Sequence, residues 1–292
     1  MMTATLPVHA RVGKMMIMGS LFGVFDSCLT IAAAMTCRNP FISSFDNRDA
    51  ADEAKRTFAS DDHLAILLAF NQWRELKRKD GRKSRTFLRE NYLSYQSLSN
   101  IVKLRNQLKR YMNDIGFVSL EKNTIGDNEL SLIRAVISAA MYPNVIVAPK
   151  KLGKSSTTAG EIPFRGKNGE EVYLHPSTIA FNAKELGSRY CCYHEICKTS
   201  KIYVRDCCAV SKFSLLLFGG SLKVYQNKGV VAVDEWLKFR CDAKPATLVK
   251  YLRQQMEALL LEKIMDPSID ISGSGKGRAV IDSVATLLKM ES

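Results

Sequence analysis

The stretch "SKIYVRDCCAV", residues 200–210, is a short run rich in β-branched, aromatic and small apolar side chains. It stands in a chain whose first half reads quite differently. Short runs of that composition, bounded by turn residues, read as strands. Three other stretches share the character: "NVIVAPK" (144–150), "EIPFRGKNGEEVYLHPSTIAF" (161–181) and "SLLLFGGSLKVYQNKGVVAVDEWLKF" (214–239). They are broken by the turn sequences GKNG and QNKG and by Gly219-Gly220. Four or five short strands in about 95 residues predict a small closed barrel.

Outward from the barrel, the chain is helical on both sides. "SDDHLAILLAFNQWRELKRKDGR" sets Leu64, Leu67, Leu68 and Trp73 on one face, with Asp61 or Asp62 able to cap its start. "YQSLSNIVKLRNQLKRYMNDIGF" repeats the pattern through Leu98, Ile101, Leu104, Leu108 and Met112, and Gly116 stops it. A third helix is predicted from about Asn128 to Met141, and short loops make these a compact bundle. After the barrel, Leu248, Leu252, Met256, Leu259 and Ile264 align on one long amphipathic helix, and a short last helix follows. The fold class is therefore α+β and multidomain: a helical bundle, a small OB-fold-like barrel, and C-terminal helices.

Charge narrows the partners. The formal net charge is +13 over 292 residues. Residues 1–145 carry 20 basic and 14 acidic side chains, residues 146–240 carry 15 and 8, and residues 241–292 carry 7 and 7. A domain-sized basic excess in the barrel region favours a polyanion, most commonly nucleic acid. Eight cysteines are present, five of them between Cys191 and Cys208, yet no C-x-x-C pair occurs. Reduced thiols in an intracellular protein, cytoplasmic or nuclear, fit better than a disulfide framework or a zinc site. The apolar run "MMIMGSLFGVFDSCLTIAAAM" (15–35) invites a membrane reading, but Asp26 divides it into pieces near ten residues, the length of buried core helices.

Two further stretches invite a nucleotide reading and fail it. In "ISGSGKGRA" (271–279), aligning Gly275-Lys276 with the G-K of a phosphate-binding loop puts Asp270 at the first glycine and Gly277 at the magnesium-binding hydroxyl. The stretch is read as a Gly/Ser linker. "DEAK", Asp52 to Lys55, lies in a polar run with no hydrophobic strand before it. No catalytic group, metal ligand or cofactor contact is assigned.

Taken together, "GKMMIMGSLF…LTIAAAM", "SDDHLAILLAFNQW", "ENYLSYQSLSNIVKLRNQLKRYMNDIGF", "VYLHPSTIAF", "YHEICKTSKIYVRDCCAVSKFSLLLFGG" and "VDEWLKF" resemble, in order, the C-terminal region of the DEAH/RHA family of ATP-dependent RNA helicases. The likeness covers nearly the whole chain and is strongest to the subgroup that includes the G-quadruplex-unwinding helicases. It implies the end of a winged helix and the start of a helicase-associated region over 1–42, a ratchet-like helical domain over 43–143, an OB-fold over 144–240 and a helical tail over 241–292. Family members use ATP and Mg2+ to drive 3′-to-5′ unwinding in motor domains whose signatures these 292 residues lack. The expectation is an RNA-binding accessory module without helicase activity of its own, present as a fragment, an isoform or a stand-alone relic. Helicase motor domains or regulatory proteins are further possible partners, and no membrane is expected.

In the family the ratchet and OB domains help enclose a channel for single-stranded RNA. By that resemblance Lys198, Thr199 and Ser200 in "CKTSKIYVRD" are the leading contacts, a cation and two hydroxyls suited to phosphate and 2′-OH. Lys201 and Arg205 follow, expected on alternate faces so that at most one shares the surface. Lys150, Lys151 and Lys154 are candidates on a strand-joining loop, and Arg105 on the ratchet helix. The densest basic run, "KRKDGRKSR" (77–85), is read as a solvated corner between helices. His63 is read as pinning its helix, and His175 and His194 as hydrogen-bonding inside the barrel.

Overall fold

The computed structural model describes residues 9–42, 47–117, 127–149, 158–269, 271 and 275–290. Among them lie ten α-helices: α1 (Ala10–Leu21), α2 (Phe25–Thr36), α3 (Arg48–Phe58), α4 (Asp62–Lys79), α5 (Gly81–Glu90), α6 (Tyr95–Asp114), α7 (Asp127–Met141), α8 (Lys212–Phe218), α9 (Ala243–Met265) and α10 (Gly275–Lys289). Eight strands accompany them: β1 (Val145–Val147), β2 (Phe164–Arg165), β3 (Glu171–Leu174), β4 (Tyr190–Lys198), β5 (Ile202–Val210), β6 (Leu222–Tyr225), β7 (Val230–Val233) and β8 (Leu237–Arg240). The chain divides into two compact units, Met1–Cys28 with Arg110–Val145 and Val210–Ser292, and Leu29–Lys109 with Ile146–Ala209.

In the first unit α1 packs on α7, and α7, α9 and α10 surround the short α8. The apolar run that raised the membrane question turns at Gly23, whose φ of +69° suits glycine, and Asp26 falls in the first turn of α2. No described helix is long and apolar enough to cross a membrane. Helix α6 ends as a Schellman motif: Gly116, at φ +81°, donates to Asn113 O, and Phe117 N–H reaches Met112 O at 2.8 Å. "SLLLF", read above as a strand, is helical. The Ser211 hydroxyl accepts the Ser214 N–H at 3.0 Å, and Leu215, Leu216 and Leu217 are all buried. Strands β6, β7 and β8 make an antiparallel sheet of their own rather than extending the barrel. Helix α10 begins at Gly275, so "GKGR" stands inside a helix rather than in a linker.

In the second unit α3, α4 and α5 pack in sequence. The first half of α4 is buried on nearly every side, from Asp62 through Phe70, so a single apolar stripe understates it. The five-stranded barrel closes in the order β1-β2-β3-β5-β4. GKNG turns β2 into β3, with Gly169 at φ +84°. Strands β3 and β5 then pair in parallel, setting Tyr173 beside Tyr203 and Leu174 beside Val204. Val172, Leu174, Val204 and Phe164 fill the interior. Their strand neighbours therefore face outward.

Candidate nucleic-acid interface

Strands β4 and β5 form a hairpin whose tip is Thr199-Ser200-Lys201, closed by a Thr199 N–H to Lys201 O bond of 2.9 Å. Lys198, Thr199, Ser200 and Lys201 are all exposed there. Behind the tip, the outward face of β3 and β5 carries a continuous aromatic and cationic row. The Lys201 ammonium lies 4.1 Å from the Tyr173 ring centroid, Tyr173 and Tyr203 are 6.2 Å apart, and Tyr203 meets His175 edge-on at 6.1 Å. Arg205 closes the row with a guanidinium nitrogen 2.9 Å from His175 Nε2. A guanidinium only donates, so Nε2 accepts from it, while Nδ1 lies 2.8 Å from the Ser177 hydroxyl and 3.1 Å from the Ser177 backbone nitrogen. Burial, with the Arg205 charge beside it, holds His175 below the usual imidazole range.

Lys201 and Arg205 thus share one face, contrary to the expectation of alternate faces. Four residues is an even separation, and a period of two returns the side chain to the same side. Tyr173 and Tyr203 were missed as candidates. The signal lay in "VYLH" and "KIYVR", where aromatic or basic residues alternate with the apolar residues that fill the barrel. What the sequence lacked was a sign that these two strands are neighbours.

The face is held from the other side by Asp61 and Asp62 at the start of α4. Asp61 occupies the N-cap position without a side-chain capping bond. Its carboxylate instead accepts the Ala209 N–H of β5 at 2.8 Å. Asp62 accepts from Cys207 N–H at 2.8 Å, from Ile179 N–H at 3.1 Å and from the buried Lys55 ammonium at 2.5 Å. The lysine of "DEAK" therefore closes a buried ion pair within α3 and α4, at 6% and 1% side-chain exposure. His63, expected to pin the helix, is buried with neither ring nitrogen hydrogen-bonded; its neighbours do the pinning.

Other candidates lie apart from the tip. Arg105 is 8% exposed, and its Nε donates to the Thr30 hydroxyl at 3.0 Å. Lys150, Lys151 and Lys154 lie outside the described residues. The basic corner falls between α4 and α5, where Asp80 accepts the backbone N–H groups of Arg82 and Lys83 at 2.8 and 3.3 Å. Lys77 sits 4.8 Å from the Trp73 ring centroid and 5.1 Å from that of Tyr95. Among the described residues no group of three or more His, Cys, Asp or Glu side chains is arranged to hold a metal ion.

Three domain families match the chain in order. A helicase-associated, ratchet-like domain matches residues 9–95, an oligonucleotide/oligosaccharide-binding (OB)-fold matches 133–222, and a C-terminal domain in RNA helicases matches 229–290. Among curated proteins it is 34% identical over 325 residues to the putative ATP-dependent RNA helicase DHX57 of Mus musculus, covering 98% of this chain and 23% of that protein. It is 35% identical over 294 residues to the DExH-box ATP-dependent RNA helicase DExH1 of Arabidopsis thaliana, covering 98% and 28%. It is 33% identical over 301 residues to the ATP-dependent DNA/RNA helicase DHX36 of Homo sapiens, covering 99% and 30%. The chain spans between about a fifth and a third of the length of these relatives.

Proposed function

The chain is built as the C-terminal region of the DEAH/RHA family of DExH-box RNA helicases, with that region's ratchet-like, OB-fold and C-terminal domains, and on that premise we propose that it is an RNA-binding accessory module. The observation that carries the reading is the outward face of β3 and β5, where exposed cations lead into a row of rings. Single-strand grooves work in this way, with cations following the backbone and aromatic faces receiving bases regardless of sequence. Lys198, Thr199, Ser200 and Lys201 take phosphate or 2′-OH contacts at the tip, and Tyr173 and Tyr203 offer stacking surfaces behind it. ATP and Mg2+ would act in motor domains working with this module, not through the residues of this face.

The test is a fluorescence-anisotropy titration of single-stranded RNA across a salt series, wild type beside a Lys198→Ala/Thr199→Ala variant. Binding should weaken with salt, and the variant should lose affinity and reduce the slope of log K against log salt by about 0.7, the value of one single-strand phosphate contact. Equal affinities and slopes for the two proteins would remove the hairpin from the RNA surface.

A second reading, a module that docks a partner protein or a separate motor, rests on α9. Leu248, Tyr251, Leu261 and Met265 there are 58, 53, 61 and 78% exposed. Exposed apolar surface of this kind marks protein contacts. Concentration-dependent self-association abolished by Leu261→Glu/Met265→Glu would favour it; a monodisperse monomer at high concentration would count against it.

A further inference from the structure

The basic corner, read from sequence as solvated, has a property in the structure that a solvated corner does not need. Arg74, Arg78, Arg82, Lys83, Arg85 and Arg89 are all exposed, and none of the six forms an ion pair with a described residue. Of the nearby acids, Glu90 stands beside Arg89 without an ion pair to it, and the other two are engaged. Glu75 is taken by Lys79 at 2.6 Å, and Asp80 caps α5. Elsewhere the chain neutralises helical arginines in the ordinary way, four residues along: Arg253 with Glu257, and Arg278 with Asp282. Within α4 the same spacing joins Arg74 to Arg78, and within α5 it joins Arg85 to Arg89. Like charges at that spacing destabilise a helix. The corner thus keeps an excess of positive charge in which these six cations form no ion pair with a described residue.

The arrangement is also ordered. Arg82, Arg85 and Arg89 are spaced i, i+3, i+7 on α5 and share one face over about 10 Å of helix. The opposite face carries Ser84, Phe87 and Leu88, all buried. Position by position, then, the row is fixed by a packed helix. Beside the corner, Tyr95 is 54% exposed and lies under the Lys77 ammonium. Guanidinium groups match phosphate oxygens in pairs, and an exposed ring adds a surface that a base or ribose can cover.

We propose that the α4–α5 corner is a second nucleic-acid contact, a phosphate-backbone track led by Arg82, Arg85 and Arg89, separate in sequence from the β4–β5 hairpin. Phosphodiester is favoured over an acidic polypeptide because planar, bidentate guanidinium groups outnumber ammonium groups among the six and a ring stands at the edge. The inference extends the RNA-binding reading but does not depend on the hairpin being a contact.

The experiment uses the full chain, an Arg82→Gln/Arg85→Gln/Arg89→Gln variant and an Arg82→Lys/Arg85→Lys/Arg89→Lys variant. Glutamine is a good helix former, so both should fold, and the glutamine variant should melt no lower than wild type. Anisotropy is read with a 20-nucleotide single-stranded RNA and with a 20-base-pair RNA duplex, each with polyglutamate as competitor. The glutamine variant is expected to bind at least tenfold more weakly to one or both, with the single-strand salt slope reduced by about 2, or 0.7 for each of three contacts. The lysine variant should keep the slope. Loss on the single strand alone identifies the track with an unpaired strand, and loss on the duplex alone with a paired flank. Unchanged affinity and slope on both RNAs overturn the proposal, and so does polyglutamate that competes for wild type and not for the glutamine variant while RNA affinity is the same. Loss in this variant with none in Lys198→Ala/Thr199→Ala would leave the track standing and remove the hairpin; the reverse would do the opposite.

Discussion

The β4–β5 hairpin with its outward face and the α4–α5 corner both set cations beside aromatic rings, and they are built in opposite ways. On the barrel the cations of the row have internal partners: Lys201 the Tyr173 ring, Arg205 the His175 imidazole. The strand beneath is fastened by Asp61 and Asp62. At the corner charge is denser, but Trp73 is fully buried and Lys77 covers the edge it shares with Tyr95. Six cations there have no ionic partner among the described residues. Charge density therefore does not mark a stacking surface. A platform needs rings on a rigid, well-supported backbone, whereas a phosphate track needs cations left unneutralised.

The support under the platform is where the comparison breaks most violently. Asp62→Ala removes the acceptor of two backbone N–H groups and leaves the buried Lys55 charge alone, a change that typically costs about 3–5 kcal/mol. The melting temperature should fall by roughly 10 °C, at about 2–4 °C per kcal/mol for a chain of this size. Lys55→Met/Asp62→Leu removes both charges and should recover part of that loss. Full recovery would show that the backbone bonds to Cys207 and Ile179 matter little. A drop of only a degree or two for Asp62→Ala would deny that β5 is fastened at all.

A smaller effect comes from Asp206, next to Arg205 on the platform strand. Burial first, and then the neighbouring Asp62, push its carboxyl up to about 6 from an ordinary 3.8. The folded state then binds the proton more tightly than the unfolded chain. The group favours folding below about pH 4, and that contribution is lost as pH rises through 6. At pH 8 the cost is on the order of 3 kcal/mol. Asp206 has φ +51°, which asparagine tolerates as readily. Asp206→Asn should therefore stabilise the chain at pH 8 and change little at pH 4. Equal effects at both values would assign the gain to something other than ionisation.

The platform itself is tested by Tyr203→Ala, beside Tyr95→Ala at the corner. Losing a stacked ring weakens single-strand binding by about 1–3 kcal/mol per base. RNA affinity should drop about tenfold or more for Tyr203→Ala, with the salt slope unchanged, and less for Tyr95→Ala. If the two substitutions cost the same, the distinction between platform and track collapses.

These contrasts show how far the residues could be read alone. The basic tip and the helices carrying Leu64, Leu67, Leu98 and Met112 were legible because their patterns are local, with periods of two or 3.6. The parallel pairing that sets Tyr173 beside Tyr203 was not, because it joins strands thirty positions apart in register without a connecting hairpin. Asp61 and Asp62 had the composition of helix caps, and the bonds they make instead reach backbone about 145 positions away. No short-range pattern announces such a partner. The unneutralised arginines were visible as a run, but their lack of partners is a property of the packed structure alone.

The least effect should come from the corner's own local support. Asp80 is the N-cap of α5, and Asp80→Ala leaves the Arg82 and Lys83 N–H groups to water at a cost of about 1 kcal/mol. The same change removes the one acidic side chain within the basic run 77–85, raising the local positive charge. If the corner follows phosphate, Asp80→Ala should lower the melting temperature by a few degrees and yet bind RNA slightly more tightly at low salt. A destabilised protein with improved affinity is an outcome that damage to the fold does not produce. Asp80→Asn, which keeps a capping oxygen and removes the charge, should show the affinity gain without the stability loss. Should both variants bind RNA as wild type does, the charge of the corner lies outside the bound strand's field, and the two basic regions differ in role and not only in construction.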